Sequence, residues 1–215
     1  MIKDMVHELL KFDESKWETY AYSREPLKGK LNQIQKSEYK KGAETCGRDI
    51  AIELIDKYGI LTPREYAKKL GVTVISSIGQ EHGEYTMFAK FNEPSTITVF
   101  KQVVDKANEL IRAEGLEKCL GNVNVYDVLV AHELFHNFEC SQPEIYTNQV
   151  KIKLWSLGPY KHMSKLACLP ELGAMALVKK LLNTEYSPYI FDVVFLYTYN
   201  KRKSKELFES ICKLN

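Results

Sequence analysis

Residues 128–140 read Val-Leu-Val-Ala-His-Glu-Leu-Phe-His-Asn-Phe-Glu-Cys, an apolar stretch that encloses two histidines and a glutamate. Apolar residues on every side of these polar positions predict a deeply buried helix. On such a helix, positions four apart lie about 40° apart around the axis, so His132 and His136 present their imidazoles on one side, one turn apart. The spacing therefore predicts that the two histidines hold one metal ion.

Glu133 lies about 100° around the same helix from His132. That displacement is too large for an easy third ligand, but it allows the carboxylate to reach a metal-bound water as a general base. The alternative is that both histidines are hydrogen-bonded core residues and that Glu133 pairs with a lysine. We favour the metal site, because the pattern is rare by chance and because burying these polar groups without a metal would be costly.

A catalytic zinc site normally has three protein ligands and one water, so the histidine pair needs a third partner. The metzincin motif is excluded, because it requires glycine and histidine where this chain has Glu139 and Gln142. We expect Glu171 to be the third ligand, since it starts a second predicted helix downstream. Gly173 and Ala174 follow it, and small residues there would let the second helix approach the metal helix closely.

Other groups remain alternatives to Glu171. A glutamate in the first turn of a helix is also favoured by the helix dipole, without any metal. His162 is the second candidate ligand, since it is an isolated histidine between the two helices. Cysteines without a motif are usually ordinary buried side chains. The less favoured carboxylates and thiolates are Glu139, Glu144, Cys140 and Cys168.

Helical periodicity predicts helices on both sides of the metal helix. Thr62 and Glu65 form a capping-box pattern around Pro63 and mark the start of one of them. Asn124 with Asp127 resembles a cap for the metal helix itself. The predicted helices span residues 2–12, 37–58, 62–70, 101–114, 124–140, 145–157, 171–182, 189–199 and 206–214.

A small sheet is predicted before the metal helix. Its strands, rich in β-branched residues, span residues 72–75, 85–91 and 96–100. A turn at 92–95 joins the last two strands into a hairpin, and a loop through residues 79–83 precedes it. Residues 13–30 are predicted to be irregular. The fold class is therefore α+β, mostly helical, with a small three-stranded antiparallel or mixed sheet packed on the metal-binding helix.

Composition limits the class of function. Thirty basic and 28 acidic side chains leave a net charge of +2, so the totals indicate no polyanion-binding surface and we expect no direct nucleic-acid binding. The five scattered cysteines include no Cys-x-x-Cys pair, which is typical of reduced thiols in a cytosolic protein. Charges interrupt the amino-terminal segment and no run of about 18 apolar residues follows. We therefore expect a cytoplasmic protein with neither a secretory signal nor a membrane segment.

The motif and its downstream context resemble the ImmA/IrrE family of zinc metallopeptidases. Ala131 precedes the histidine motif. Downstream, the third-ligand candidate Glu171 is followed by small and apolar residues whose spacing is part of the resemblance: Ala174, Leu177, Val178, Leu181 and Leu182. The order of helices, strand, hairpin and metal helix is similar too. The likeness covers residues 37–183, which would form a zincin-like metallopeptidase domain. Residues 1–36 would be an amino-terminal helix and irregular arm, and residues 184–215 a helical extension packed on the same domain.

The chain departs from the family pattern at several positions. Phe135 stands where members commonly have glycine, and Met175 where asparagine is frequent. Leu177 and Val178 stand where phenylalanine and alanine are usual. These differences bear on the choice of substrate more than on zinc binding.

The resemblance implies that His132, His136 and Glu171 hold Zn²⁺ and that Glu133 is the general base of peptide-bond hydrolysis. The substrate would be a regulatory protein such as a transcriptional repressor, as in the phage, mobile-element and stress responses of family members. No DNA-binding helix-turn-helix is recognisable in residues 1–36, so the repressor would be a separate partner.

The sequence leaves the details of substrate binding open. A second electrophile is needed for the oxyanion, and the candidates between the two ligand helices are Tyr146, Tyr160 and His162. An extended substrate could add along the edge of the hairpin at residues 85–100, although a purely structural hairpin is an equal alternative. Two further classes of function remain: a non-proteolytic zinc module that binds a regulatory protein, and a zinc hydrolase of a non-peptide bond.

Overall fold

The structure is a computed structural model that describes residues 1–78 and 87–214. The described chain is mostly helical, with one mixed three-stranded sheet and one two-stranded sheet, so the predicted α+β class is confirmed. The predicted loop through residues 79–83 and the first two residues of the predicted strand 85–91 lie outside the described residues.

The helices occupy both ends of the described chain, and the strands lie between them in the sequence. In chain order they are α1 (Ile2–Leu9), α2 (Glu14–Ser23), α3 (Gln33–Tyr58), α4 (Pro63–Lys69), α5 (Lys101–Ala113), α6 (Glu117–Leu120), α7 (Val125–Ser141), α8 (Tyr146–Gln149), α9 (Cys168–Leu181), α10 (Ile190–Tyr199) and α11 (Lys201–Lys213). A short 3₁₀ turn, Lys28–Lys30, precedes α3. Among the described residues, no helix has the length and apolar content needed to cross a membrane.

The strands form two separate sheets. In chain order they are β1 (Thr73–Ser77), β2 (Ala89–Asn92), β3 (Thr96–Phe100), β4 (Lys151–Leu157) and β5 (Tyr160–Lys165). In the first sheet β3 lies in the centre, parallel to β1 and antiparallel to β2. Ile97 and Val99 on β3 are completely buried, and β2 and β3 both pack against α7. The small mixed sheet on the metal-binding helix is thus as predicted.

Three helices, α3, α7 and α9, meet through two glycines. A Cβ atom on Gly47 of α3 would lie 2.0 Å from the carbonyl oxygen of Gly173 on α9. A Cβ atom on Gly173 would lie 2.2 Å from Cζ of Phe135 on α7. Only hydrogen fits at these two positions, so the glycines bring the backbones within direct contact. The predicted close approach of the two ligand helices is confirmed at Gly173.

Local capping explains where two helices begin. Thr62 and Glu65 form the predicted capping box, in which each side chain accepts a hydrogen bond from the backbone N–H of the other residue. At the start of α7 the Asn124 side chain accepts from the backbone N–H of Tyr126 at 2.9 Å. Asp127 does not complete that cap. Its carboxylate instead pairs with the Arg64 guanidinium at 3.1 Å, which links α7 to α4.

The predicted helix at 145–157 and the loop that was expected to follow it are wrong. Only Tyr146–Gln149 is helical, and β4 and β5 then form an antiparallel hairpin. The physical reason is visible in residues 151–154, where lysines alternate with apolar side chains at the period of a strand. Gly158 turns the chain with a φ of +57°, a backbone conformation that glycine adopts without steric cost.

The predicted irregular segment at 13–30 is also wrong over much of its length. Asp13 caps α2 by accepting a hydrogen bond from the backbone N–H of Lys16. The helix then buries Trp17 and Tyr20, which pack as aromatic rings against Tyr189 next to α10. Aromatic burial therefore stabilises a helix whose composition is polar.

Both ends of the chain contribute to one hydrophobic cluster. It contains Ile2 and Leu9 of α1 as well as Ile211 of α11, together with the residues of the central helices. The basic segment 201–205, which precedes the predicted helix 206–214, is already the first part of α11.

Candidate metal centre

Two helices bring three ligand side chains to one point. His132 and His136 of α7 have their Nε2 atoms 3.3 Å apart. Glu171, in the first turn of α9, places one carboxylate oxygen 3.4 Å from Nε2 of His132 and the other 3.8 Å from Nε2 of His136. Among the described residues, this trio is the group of His, Cys, Asp and Glu side chains close enough to share a metal ion.

The spacing of these atoms fits a tetrahedral metal. Ligand atoms about 2.0–2.2 Å from a tetrahedral zinc lie about 3.3–3.6 Å from one another. Nε2 of His132 lies 3.3 Å from Nε2 of His136 and 3.4 Å from one oxygen of Glu171, whereas the 3.8 Å distance to His136 is measured from the other Glu171 oxygen. Two imidazole nitrogens and one carboxylate are also a donor set that zinc accepts, as do other divalent transition metals. The residues present therefore fit a metal ion, and its identity as zinc is part of the proposal below.

The helical geometry explains why the trio forms. The spacing within α7 places the two histidines on one side of the helix, as predicted. Gly173 lies two residues beyond Glu171, and its contact with Phe135 fixes the distance between α9 and α7.

Glu139 orients one of the histidines. Its carboxylate accepts a hydrogen bond from Nδ1 of His136 at 3.0 Å, and its other oxygen accepts from the Thr147 hydroxyl. With the proton on Nδ1, Nε2 of His136 is free to bind a metal. The side chain of Asn148 donates to the backbone carbonyl of Glu139 at 2.8 Å, so α8 holds this end of α7 in place.

The carboxylates around His136 also determine its protonation. Burial lowers the pKa of the imidazole, whereas the hydrogen bond to Glu139 and the charges of the nearby carboxylates raise it, and the net pKa is raised. A bound cation would reverse this effect, because it favours the neutral imidazole that serves as a ligand.

Glu133 is a buried carboxylate on the same helix as both histidines. It makes no hydrogen bond or ion pair with any other part of the described chain, and its carboxylate oxygens are not among the fully enclosed side-chain atoms without a partner, so they reach solvent. The predicted alternative, in which a lysine pairs with Glu133, finds no such lysine among the described residues. The free carboxylate can accept a proton beside the metal-capable trio.

A charged cluster that the sequence analysis did not identify lies near the trio. Nη1 of Arg24 is 2.9 Å from Oδ2 of Asp192, and the Tyr20 hydroxyl donates to the same oxygen at 2.8 Å. Burial and the charge of Glu171 raise the pKa of Asp192, while the charges of Arg24 and His132 oppose them. The cluster is thus within electrostatic range of both ligand helices.

Arg24 gives this cluster an accessible positive charge. Its side chain is 53 % exposed although it is ion-paired. Burial lowers its pKa, but the charges of Asp192, Tyr20 and Glu171 outweigh that effect and the pKa is raised. No local sequence motif predicts the pairing of Arg24 with Asp192, because these residues are far apart in the sequence and meet only in the folded chain.

Tyr189 carries a buried hydroxyl that has no hydrogen-bond partner among the described residues. Burial raises the pKa of Tyr189 well above its usual range, and the charges of Glu171 and Asp192 raise it further. An orphaned buried hydroxyl is uncommon in folded proteins. This donor lies within electrostatic range of the carboxylate that would bind the metal.

A cavity of about 410 Å³ lies on another side of α9, lined in part by Trp17, Lys40, Met175 and Tyr189. None of the three candidate ligands lines it. The cavity and the metal-capable trio are therefore separate features.

The other predicted site residues lie elsewhere or outside the trio. Tyr146 packs its ring on α3, where a Cβ atom on Gly42 would lie 2.1 Å from the Tyr146 Cζ. Tyr160 lies beside the turn of the β4–β5 hairpin, and His162 on β5 is exposed and packs against Trp155 with tilted rings whose centroids are 5.5 Å apart. Their roles in binding the oxyanion stay predictions.

The alternative third ligands are not part of the trio either. His162 lies on the exposed hairpin, and Glu139 binds the far side of His136 rather than the metal-facing side. The backbone N–H of Cys168 donates to Glu25 at 3.0 Å, and its thiol is buried. The spacing of Glu139, three residues after His136, was the sequence signal for its orienting role.

Comparison with protein-family models, with curated proteins and with solved structures gives no significant match for this chain. The resemblance to ImmA/IrrE-like metallopeptidases therefore stays a prediction that depends on the motif and its context.

Proposed function

We propose that the chain is a zinc-dependent metallopeptidase that hydrolyses a peptide bond in another protein. The observation that carries this proposal is the convergence of His132, His136 and Glu171 from two helices, with the unpaired carboxylate of Glu133 on the same helix. The regulatory nature of the substrate, for example a transcriptional repressor, is implied by the family resemblance, as is the cytoplasmic location.

The donor set supports catalysis over a purely structural metal. Structural zinc sites usually have four protein ligands, whereas catalytic sites have three and leave a position for water. Among the described residues, three ligands converge here. A structural site also has no need of a base, and Glu133 is free to act as one. These features favour an enzyme over the non-proteolytic binding module.

The chemistry assigned to the chain's own residues is as follows. Zinc, when bound, would act as a Lewis acid and lower the pKa of a bound water towards about 7. Glu133 would accept a proton from the water that adds to the peptide carbonyl carbon, and it would then donate that proton to the leaving amine nitrogen. Glu139 keeps Nδ1 of His136 protonated throughout. Arg24 is the cation that we assign to the developing negative charge on the carbonyl oxygen.

Cleavage of a peptide library tests this proposal. The library is made by digesting a bacterial proteome, and mass spectrometry detects new termini after incubation with the zinc-loaded protein. We expect cleavage by the parent protein and a loss of at least about a hundredfold in Glu133→Gln, since general acid–base catalysis contributes that much or more. Equal cleavage by both proteins would remove Glu133 from the mechanism, and no cleavage by a zinc-loaded parent would contradict the peptidase proposal.

A further inference from the structure

The β4–β5 hairpin joins the two halves of the metal centre. It follows α8, which binds Glu139, and it ends just before α9, which carries Glu171. Its base is fixed to the body of the protein, because Ile152 is buried and Nζ of Lys165 lies 2.6 Å from Oδ1 of Asn148. The base of the hairpin is therefore held next to α8, the helix whose Thr147 binds Glu139.

A β-bulge determines which side chains share a face of the hairpin. The pairing shifts between Lys153 and Trp155, so that Ile152 lies opposite Ser164 but Trp155 lies opposite His162. Without the shift, the strict alternation of a strand would place Trp155 on the other face from Ile152. The bulge thus continues the face that is buried at the base into a face that is exposed at the tip.

The outer part of that face is apolar and aromatic. Trp155 is 55 % exposed, and Leu157 and its cross-strand neighbour Tyr160 are each 74 % exposed. We call these three residues, with His162, the aromatic face. Contiguous exposed apolar side chains on a soluble domain commonly mark a binding site for another protein.

The opposite face of the hairpin is basic. Register places four exposed lysines there: Lys151, Lys153, Lys161 and Lys165. Residues 151–165 contain no aspartate or glutamate, and no acidic group within the described ranges 1–78 and 87–214 forms an ion pair with these lysines. We call these four residues the basic face. Its charge is uncompensated within the described chain.

The ribbon also offers edges for strand addition. Its sheet contains two strands among those that the structure describes, so each strand has an outer edge, on which the Leu154 carbonyl of β4 already accepts a hydrogen bond from Lys30. A strand that adds to such an edge directs alternate side chains to the two faces of the sheet. One set of side chains would then meet the aromatic face and the other the basic face.

We infer that the β4–β5 hairpin docks an extended segment of the substrate protein in which apolar and acidic residues alternate. The inference deepens the proposed peptidase function and depends on it for identifying the bound protein as the substrate. The apolar side chains lie on the aromatic face, and the carboxylates lie against the basic face. A single-stranded nucleic acid fits less well, because its bases and phosphates would need aromatic and basic groups on the same face.

Fluorescence anisotropy of labelled synthetic peptides tests the docking site separately from catalysis. The full-length protein carries Glu133→Gln, so that no peptide is cleaved. The probe contains four Glu-Val repeats, and the matched probe has the same composition with all glutamates before all valines. We expect the alternating peptide to bind at least about tenfold more tightly than the block peptide, and a fifteen-nucleotide oligothymidine to bind more weakly than either.

Variants on each face identify the surface. Lys153→Glu with Lys161→Glu, and separately Trp155→Ser, should each weaken binding of the alternating peptide by about tenfold, since several charge or apolar contacts are lost. The matched controls are Lys118→Glu with Lys68→Glu on exposed helix surfaces, and Ile60→Ser in an exposed loop. These controls should change binding by less than about twofold. Circular dichroism of each variant checks that it is folded.

Three results would overturn the docking inference: equal affinity for the alternating and block peptides, tighter binding of oligothymidine, or no change in the hairpin variants. Cleavage of the peptide library by the parent protein is measured in parallel. Library cleavage without peptide docking would reject the hairpin site alone, whereas docking without any cleavage would reject the peptidase proposal and leave a binding surface.

Discussion

The helix contact at Gly47, Phe135 and Gly173 differs sharply from the β4–β5 hairpin, although α9 begins only a few residues after β5. At the helix contact every apolar group is buried and no space remains for a methyl group. On the hairpin, Trp155, Leu157 and Tyr160 are exposed, and the lysines form no ion pair among the described residues, although Lys165 donates to Asn148. Packing therefore accounts for the first set of residues, whereas the second set contributes little to stability and is available for recognition.

The largest expected effect on stability comes from adding one methyl group at the helix contact. Gly47→Ala would place a Cβ atom against the Gly173 carbonyl, so α3 and α9 must separate. We expect the free energy of unfolding to fall by about 3 kcal/mol, the upper end for overpacking, in spite of the better helix propensity of alanine. Urea denaturation measures this change.

Gly29→Ala is the matched control for that measurement. No heavy atom lies within 4 Å of a Cβ built on Gly29. The control should change the free energy of unfolding by less than about 0.5 kcal/mol. Similar values for the two alanine variants would show that the glycine contact does not set the helix spacing.

A smaller effect is expected where the two regions join. Glu139→Gln keeps the size of the side chain but removes the negative charge that accepts the hydrogen bond from Nδ1 of His136. Zinc affinity should fall by about ten- to a hundredfold, as for other residues that hold a metal ligand in place. Isothermal titration with a competing chelator measures the affinity, and Glu144→Gln on the nearby exposed surface serves as the control. An unchanged affinity would contradict the orienting role.

Arg24 is intermediate between the two regions, because it is exposed like the hairpin lysines but forms an ion pair with Asp192. Arg24→Ala should lower kcat for library peptides by at least about tenfold, because the positive charge assigned to stabilising the transition state is removed. The zinc content should stay unchanged, because the metal ligands remain. Arg24→Lys should recover part of the rate. Loss of zinc in Arg24→Ala would instead indicate a structural role near the ligands.

The smallest effect on stability is expected on the hairpin. Trp155→Ser removes a large but exposed side chain, so the free energy of unfolding should change by less than about 0.5 kcal/mol. The same urea denaturation that tests Gly47→Ala measures it. A loss of several kcal/mol would mean that the aromatic face is part of the fold rather than a free surface.

The sequence predicted the metal helix and its histidines because both depend on local spacing within one apolar helix. Glu171 could be predicted from the sequence because small residues beside it allow two helices to touch. The hairpin was missed because the strand-like alternation covers only residues 151–154 before a bulge interrupts it. The cluster of Arg24 and Asp192 could not be predicted from the sequence, since only tertiary packing brings these residues together.

Helix α2 shows a second reason for a wrong prediction. Its stability comes from Tyr189, which is distant in sequence: Trp17 stacks on the Tyr189 ring and Tyr20 packs against it edge-on. Intrinsic propensity and apolar periodicity are weak in this segment, so tertiary contacts decide its conformation.

Zinc content is the most direct test of the metal centre. Elemental analysis after zinc loading and desalting compares the parent protein with Glu133→Gln, Glu171→Ala and the exposed control Glu144→Ala. We expect about one zinc per chain in the parent, in Glu133→Gln and in Glu144→Ala, and its loss in Glu171→Ala, because a catalytic site depends on three protein ligands. No zinc in the parent protein, or full zinc in Glu171→Ala, would contradict the metal centre described above.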